Sequence, residues 1–312
     1  MSTRESNGQR DGGARPRILV VIVNYRTPQL TIESLASLAK EAARVLGVRA
    51  VVVENDSGDD SAERIRAAIA DNGWDFVELV LSDRNRGFSG GNNLGIERGE
   101  PAEFVLLLNS DTIMHEGCLA RCLAVMKEHP EAGAMSCRVL NADGSIQNVT
   151  RRFPTPALST CAAFGLPWKL PSLFAWADAE DMEWDRTTIA RDVDWLGGAF
   201  LFVRSTAFGG KVRLDEDFFF YGEDVAFSHV LKERGFTRRY DPVASIVHLG
   251  GASSDPSRMP SGKRALQRVK ARYLVQEKCY GPTAARWLRS VDVVATSAKL
   301  LVALSRGPAG TE

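Results

Sequence analysis

An aspartate that directly follows a buried strand can hold a hard divalent cation rigidly. Mg²⁺ and Mn²⁺ seek carboxylate and carbonyl oxygens and complete their shells with a substrate's phosphates. Asn109-Ser110-Asp111 is such a triplet, placed directly after the apolar run 104–108. Read alone, Asp111 with Glu116 would equally suit the start of a helix, as a cap. A second acidic pair, Glu223-Asp224, ends the aromatic stretch Asp217-Phe-Phe-Phe-Tyr-Gly-Glu-Asp224. Apolar surroundings raise a carboxylate's pKa and a helix N-terminus lowers it, so this pair reads either as a general base or as a helix cap. His248 closes a short apolar run. With Asp111 it could complete a site of mixed oxygen and nitrogen ligands. Gly87-Phe-Ser-Gly-Gly-Asn-Asn93 is a glycine-rich turn entering a helix, where backbone N–H groups can approach phosphates. It matches neither GxGxxG nor the phosphate-loop pattern, so a dinucleotide fold of the usual kind is not supported.

Such groups need elements that bring them to one place. Continuous apolar runs at 18–23, 50–53, 76–81 and 104–108 read as buried strands. Helical periodicity separates them at 28–46, 61–70 and 90–98, and continues at 116–128 before a further strand at 132–137. Strands spaced by helices predict βαβ units and a largely parallel sheet. Ligands in such sheets bind at the carboxyl ends of the strands. There the sequence places Asn24-Tyr25-Arg26-Thr27, Glu54-Asn55-Asp56-Ser57, Asn85 to Asn93, and Asn109-Ser110-Asp111. Each group alone could be a turn or a cap. Together they form one polar rim of nucleotide size. Past residue 138 the pattern changes. Asp143-Gly144 signals a hairpin. Residues 153–180, rich in Pro, Trp and Phe, read as loop or short helices. A strand at 198–203, a helix at 224–234 ended by Gly235, and a strand at 244–248 follow. Two helices, 264–280 and 283–304, flank Gly281-Pro282.

The 312 residues carry 39 Lys and Arg against 39 Asp and Glu, with 44% hydrophobic residues. That composition excludes wholesale disorder, collagen and a disulfide scaffold, and zero net charge argues against a nucleic-acid protein held by a global basic field. From residue 257 onward, however, eleven cations face three acids, so the tail carries eight positive charges and the rest eight negative. A basic tail on an acidic body suits an anionic partner such as lipid head groups or phosphates, or else a solvated helix face. The five cysteines, Cys118, Cys122, Cys137, Cys161 and Cys279, read as structural thiols rather than a disulfide framework. Zinc at Cys118 and Cys122 would need further ligands. No apolar run reaches the ~20 residues of a spanning helix, and the polar start of the chain lacks a signal sequence, so a cytoplasmic location is expected.

In their order along the chain, seven blocks resemble one family. They are Val23-Asn24-Tyr25; Val53-Glu54-Asn55-Asp56-Ser57; Asn85 to Asn93; Leu108-Asn-Ser-Asp111; Trp195-Leu-Gly-Gly-Ala-Phe200; Phe219-Phe-Tyr-Gly-Glu-Asp224; and His248-Leu-Gly-Gly-Ala-Ser253. The chain resembles the inverting glycosyltransferases of family 2, and within them the bacterial rhamnosyltransferase-like branch. The resemblance implies an α/β chain of GT-A fold, with a Rossmann-like, mostly parallel central sheet flanked by helices and a C-terminal helical extension. It divides the chain into a disordered tail at 1–16, a catalytic domain at 17–255 and a basic helical extension at 256–312. Within the catalytic domain, 17–137 is the nucleotide-sugar half and 138–255 the acceptor half.

The resemblance also implies roles by position. Asn24, Tyr25, Glu54, Asn55, Asn85, Gly90, Asn92, Asn109 and Ser110 would bind the nucleotide-diphosphate sugar. Glu54 stands where the family usually has an Asp that reads base or ribose. Asn109 replaces the first Asp of the metal motif, so Mg²⁺ or Mn²⁺ would rest on Asp111, His248 and the diphosphate. Asp224 matches the catalytic base, with Glu223 beside it. Trp195, Gly197 and Gly198 fall in the segment that shapes the acceptor pocket. The implied reaction is transfer of a sugar, rhamnose from dTDP-rhamnose first, to a hydroxyl of a glycan or lipid-linked acceptor, with inversion. Two other readings compete: a sugar nucleotidylyltransferase, which should show a Gly-rich loop with Arg and Lys where this first strand ends in Asn24-Tyr25-Arg26-Thr27, and a non-catalytic glycan- or nucleotide-binding module. The basic tail would lie on an anionic membrane surface, pack on the catalytic domain, or make a homodimer contact. No nucleic-acid partner is expected.

Overall fold

The computed structural model describes residues 17–178, 183–250 and 261–305. The tail at 1–16, the end of the 248–253 block and the expected boundary at 255/256 lie outside these residues. In order, the first half contains β1 (Ile18–Asn24), α1 (Pro28–Ala42), β2 (Val48–Glu54), α2 (Ser61–Asp71), β3 (Val77–Leu81), α3 (Gly87–Arg98), β4 (Phe104–Asn109), β5 (Thr112–Met114), α4 (Cys118–Glu128) and β6 (Ala132–Leu140). There follow β7 (Ile146–Gln147), β8 (Thr150–Arg151), α5 (Pro156–Phe164), α6 (Leu166–Lys169), α7 (Pro171–Phe174), α8 (Glu183–Arg186), β9 (Arg191–Asp192), β10 (Trp195–Leu196) and β11 (Phe200–Arg204). The last elements are α9 (Glu223–Glu233), β12 (Thr237–His248), α10 (Ser261–Tyr280) and α11 (Pro282–Ser305).

The main sheet has the order β3-β2-β1-β4-β11-β6-β12-β5. β3, β2, β1 and β4 run parallel, as do β6 and β12; β11 is inserted against the grain between β4 and β6. β1 and β4 are apolar up to their closing asparagines, and β2 is apolar from Ala50 to Val53, without alternation, as strands buried on both faces are. Register brings the polar strand ends to one rim. Asn24 is paired with Glu54, Val23 with Asn109, and Val247, next to His248, with Leu140.

Some local outcomes differ from the sequence reading. Asp111 and Glu116 do not open α4. That helix starts at Cys118, and Glu41 caps it from α1, its two carboxylate oxygens accepting from Gly117 N–H and Leu119 N–H at 2.9 and 3.0 Å. A buried carboxylate thereby satisfies two orphan donors at a distance of more than seventy residues. The last strand is much longer than 244–248. It begins at Thr237, because Arg238 and Arg239 find partners in Asp194 O, Phe236 O and Asp192, while Asp241 is paired with Arg121. The hairpin at Asp143-Gly144 joins β6 to β7, with Gly144 at φ +81°.

The C-terminal helices are built onto this body. Val275 of α10 joins Phe153, Phe218, Val225 and Ala226 in a small apolar cluster. Val291 and Ala295 of α11 pack against Ala163 of α5. Lys278 meets Asp215 at 2.8 Å and also Asp217, so part of the tail's charge faces acids of its own body. Among the described residues no helix is long and apolar enough to cross a membrane.

Candidate active site

Asp111 and His248 lie far apart in the sequence and meet because β5 pairs antiparallel with the end of β12, His248 opposite Thr112. Asp111 Oδ1 lies 3.1 Å from His248 Nε2, and Asn109 Nδ2 is 3.3 Å from the same nitrogen. Gln147, on β7, fixes the ring. Its amide N–H₂ donates to Asn141 Oδ1 at 2.9 Å, which turns its Oε1 toward His248 Nδ1 at 2.6 Å. This contact fixes the ring with Nε2 turned toward the Asp111 carboxylate and the Asn109 amide. Metal-binding histidines are oriented by a polar partner in the same way. The residues therefore fit a divalent cation, with two protein ligands and the remaining positions left to substrate oxygens and water. Among the described residues no group of three or more His, Cys, Asp or Glu side chains is placed to hold a metal, and Cys118, Cys122 and Cys137 are buried free thiols.

Glu223 and Asp224 open α9, behind Gly222 at φ +87°. Both face a cavity of about 1130 Å³ that also reaches Asn109, His248, Trp195, Gly197 and Gly198. Glu223 is the more enclosed of the two, and its Oε2 has no hydrogen-bond partner. Burial, then the Asp224 charge, pushes the Glu223 carboxyl up to about 8. Burial likewise raises Asp224, against the hydrogen bonds it accepts from Val225 N–H and Gly198. Of the two opposing influences foreseen for this pair, desolvation outweighs the helix terminus. At neutral pH Glu223 keeps its proton. Trp195 is held by β10 against β8, where it lies opposite Arg151, and its indole N–H donates to Arg152 O at 2.9 Å.

The residues expected to bind a donor lie along the rim at the ends of β1 and β2 and in α3. They do not line this cavity, except for Asn109. Asn24 Oδ1 accepts from the Thr31 and Thr27 hydroxyls at 2.9 and 3.3 Å. Glu54 accepts from Ser57 N–H at 2.9 Å. Asn55 is bonded to Asn85, Arg86 N–H and Gly87 O. Asn92 caps Phe88 O, and Ser110 contacts Thr27. Gly90 packs on Arg86, and the Tyr25 ring lies under the Arg26 guanidinium. The glycine-rich turn has a second duty. Gly87 N–H donates to Asn85, and Phe88 N–H to Phe219 O, so these two N–H groups are taken. A Cβ at Gly87, which has φ +67°, would sit 2.3 Å from Phe219 O. The turn thereby seats the loop that leads into Glu223 and Asp224.

The sequence model described as "Glycosyl transferase family 2" matches residues 19–189. The chain belongs to this family. It is a glycosyltransferase of GT-A fold. It is 28% identical over 240 residues, 73% of this chain and 75% of the relative, to an N-acetylglucosaminyl-diphospho-decaprenol L-rhamnosyltransferase of Mycobacterium tuberculosis. Solved structures with the same fold include S. aureus TarS 1-349, at TM-score 0.53 and 12% identity, covering 89% of this chain and 88% of that one. Another is the mannosyltransferase PcManGT from Pyrobaculum calidifontis in complex with GDP-Man and Mn²⁺, at TM-score 0.51 and 16% identity, covering 94% and 80% of the two chains.

The structure also brings in side chains that the sequence did not single out as site residues. Gln147 sits on a two-residue strand with no motif of its own. Asn93 both donates to Leu214 O and accepts from Leu214 N–H, each at 2.9 Å, and donates to Glu216 at 2.9 Å. It anchors the far end of the loop that Gly87 seats. Asn93 lies inside the glycine-rich block, so its position was visible and only its partner was not.

Proposed function

We propose that this transferase moves a sugar from a nucleotide-diphosphate donor, dTDP-rhamnose first among them, to a hydroxyl of a glycan or lipid-linked acceptor, with inversion. The observation that carries this reading is the shared cavity, into which both Asp224 and the Asn109 and His248 edge of the cation site open. The M. tuberculosis relative, named for L-rhamnosyl transfer to a diphosphodecaprenol-linked sugar, supports the choice of donor and acceptor class. Asp111 and His248 would hold Mg²⁺ or Mn²⁺, which offsets the charge gathering on the leaving diphosphate. The rim of Asn24, Tyr25, Glu54, Asn55, Asn85, Gly90, Asn92 and Ser110 would enclose the nucleotide, its side chains held in place by the hydrogen bonds described above. Trp195, Gly197 and Gly198 would form the acceptor wall beside the base.

Asp224 accepts the proton of the acceptor hydroxyl as that oxygen bonds to the anomeric carbon and the bond to the diphosphate breaks. Attack from the face opposite the leaving group inverts the configuration in one displacement, so no nucleophilic side chain is needed. Burial strengthens Asp224 as a base, and the protonated Glu223 beside it adds no competing charge. The basic extension would rest on an anionic membrane at the cytoplasmic face, with Arg286 and Arg289 toward lipid phosphates and exposed Leu300, Leu301 and Leu304 in the interface. Absence of binding to anionic liposomes at low salt would refute that contact.

Thermal unfolding with dTDP, UDP and GDP, each with and without Mn²⁺, tests the donor. A diphosphate at 100 times its Kd stabilises by about 2.7 kcal/mol, a rise of roughly 5–10 °C in Tm for a domain of this size. A Mn²⁺-dependent rise with dTDP is expected. No rise with any nucleotide overturns the reading.

A further inference from the structure

The cavity does not stop at the base. It continues past Tyr221 between α10 and α11, where Arg268, Val269, Ala295, Thr296 and Lys299 line it. At about 1130 Å³ it exceeds the ~300–1,000 Å³ of an ordinary small-molecule pocket, and a monosaccharide hydroxyl reaching Asp224 would leave this outer arm empty. The charges of the arm do not cancel. Its carboxylate, Asp292, accepts from Arg272 Nη1 at 3.0 and 2.8 Å and from the Tyr273 hydroxyl at 2.9 Å, so Arg272 and Asp292 neutralise each other. Arg268 lies over the Tyr221 ring, 5.0 Å from its centroid, and among the described residues neither Arg268 nor Lys299 forms an ion pair with a carboxylate. Two cations thus face the cavity with no anionic partner among the described residues. Next to Lys299 the helix turns apolar, with Leu300, Leu301 and Leu304 58%, 68% and 70% exposed. Leu158 and Ala162 of α5 supply apolar wall on the facing side.

One cavity thus holds the proton acceptor, a polar pocket and two cations, and α11 carries exposed leucines directly after Lys299. A sugar joined through a diphosphate to a hydrocarbon chain has the complementary groups. We propose that Arg268 and Lys299 form the diphosphate subsite of a lipid-linked acceptor, whose sugar hydroxyl reaches Asp224 and whose hydrocarbon chain leaves over α11. The inference rests on the transferase reading above and deepens it. The Arg268 guanidinium supplies planar, paired N–H donors to phosphate oxygens, while Lys299 acts as a compact charge. This diphosphate is separate from that of the donor, which would lie at Asp111 and His248.

Isothermal titration of the full chain in the absence of donor tests the subsite with two probes. One is N-acetylglucosaminyl geranyl diphosphate; the other is geranyl N-acetylglucosaminide, which lacks the diphosphate. The wild type is expected to bind the diphosphate probe about tenfold or more tightly than the glycoside. The Arg268→Ala/Lys299→Ala double variant should lose that preference and keep its affinity for the glycoside within about twofold. Asp111→Asn should retain the preference. Absence of a preference in the wild type, or its persistence in the double variant, overturns the proposal. So does its loss in Asp111→Asn alone, which would place the diphosphate in the donor site. The donor reading stands or falls separately: a missing dTDP effect on Tm, with the Arg268 and Lys299 preference intact, refutes the donor assignment and leaves this subsite standing.

Discussion

Glu223 should make the folded protein less stable as pH rises, and Glu223→Gln should remove that dependence. The ordinary carboxyl value is 4.5, and burial with the Asp224 charge raises Glu223 to about 8. Between those values the folded chain holds a proton that the unfolded chain has released. Stability from this group is therefore full below about pH 4.5 and is lost progressively as pH climbs toward 8. At 1.36 kcal/mol per pH unit the difference is on the order of 5 kcal/mol, an upper figure because Asp224 titrates with it. Glutamine keeps the shape and the neutral state of the side chain. Urea midpoints measured from pH 5 to pH 8.5 would show the wild type losing several kcal/mol more than Glu223→Gln across that range. Parallel pH profiles for the two proteins would refute the assignment of a buried, protonated Glu223. An excess loss on acidification would refute its sign.

Asp224→Asn should lower transfer by about 10²- to 10⁴-fold while the dTDP-induced rise in Tm survives, since only the proton acceptor is removed; full activity would exclude Asp224 as the base. Gln147→Leu should weaken Mn²⁺ binding by about 10- to 100-fold, read from the Mn²⁺ dependence of that Tm rise, because it frees the His248 ring. Glu41→Ala should cost about 2 kcal/mol or more in urea unfolding, since it strips the N-terminus of α4 of its acceptor. Gly95→Ala should destabilise by about 1–3 kcal/mol in the same assay, because its Cβ would lie 2.4 Å from Val21 Cγ1, where α3 seats on β1.

The parallel half of the fold was readable because its signals are local. Short apolar runs at β1, β2 and β4, spaced by helical periodicity, read as buried parallel strands, and the polar residues after them share a rim once the strands are parallel. The second half was less readable. Thr237-Arg-Arg-Tyr240 carries no strand signal of its own until Asp192 and the backbone oxygens of Asp194 and Phe236 supply partners for its arginines. Helix α1 stops at Ala42 rather than continuing to 46, because the chain must turn at Gly47, φ +77°, to enter β2. Asp111 could be read as a cap or as a cation ligand, and residue type alone could not choose between them. The choice fell to Glu41, which took over the cap from another helix.

By itself the sequence determined the alternation of strand and helix, the polar rim, the acidic pair at the head of α9, and the blocks that carry the family resemblance. Each depends on residue type and spacing within a few turns of chain. The tertiary structure alone decided that His248 meets Asp111, because that depends on the register between β5 and β12. It decided the orientation of the His248 ring, because Gln147 arrives on a separate hairpin. It decided that Glu223 stays protonated, because burial is a property of the packed neighbourhood and not of the residue. It also decided that the basic tail leaves two cations facing the cavity, because Asp292 is claimed by Arg272 before Arg268 or Lys299 can use it. Hydrophobic periodicity is written along the chain, whereas desolvation and the pairing of charges exist only after distant segments have met.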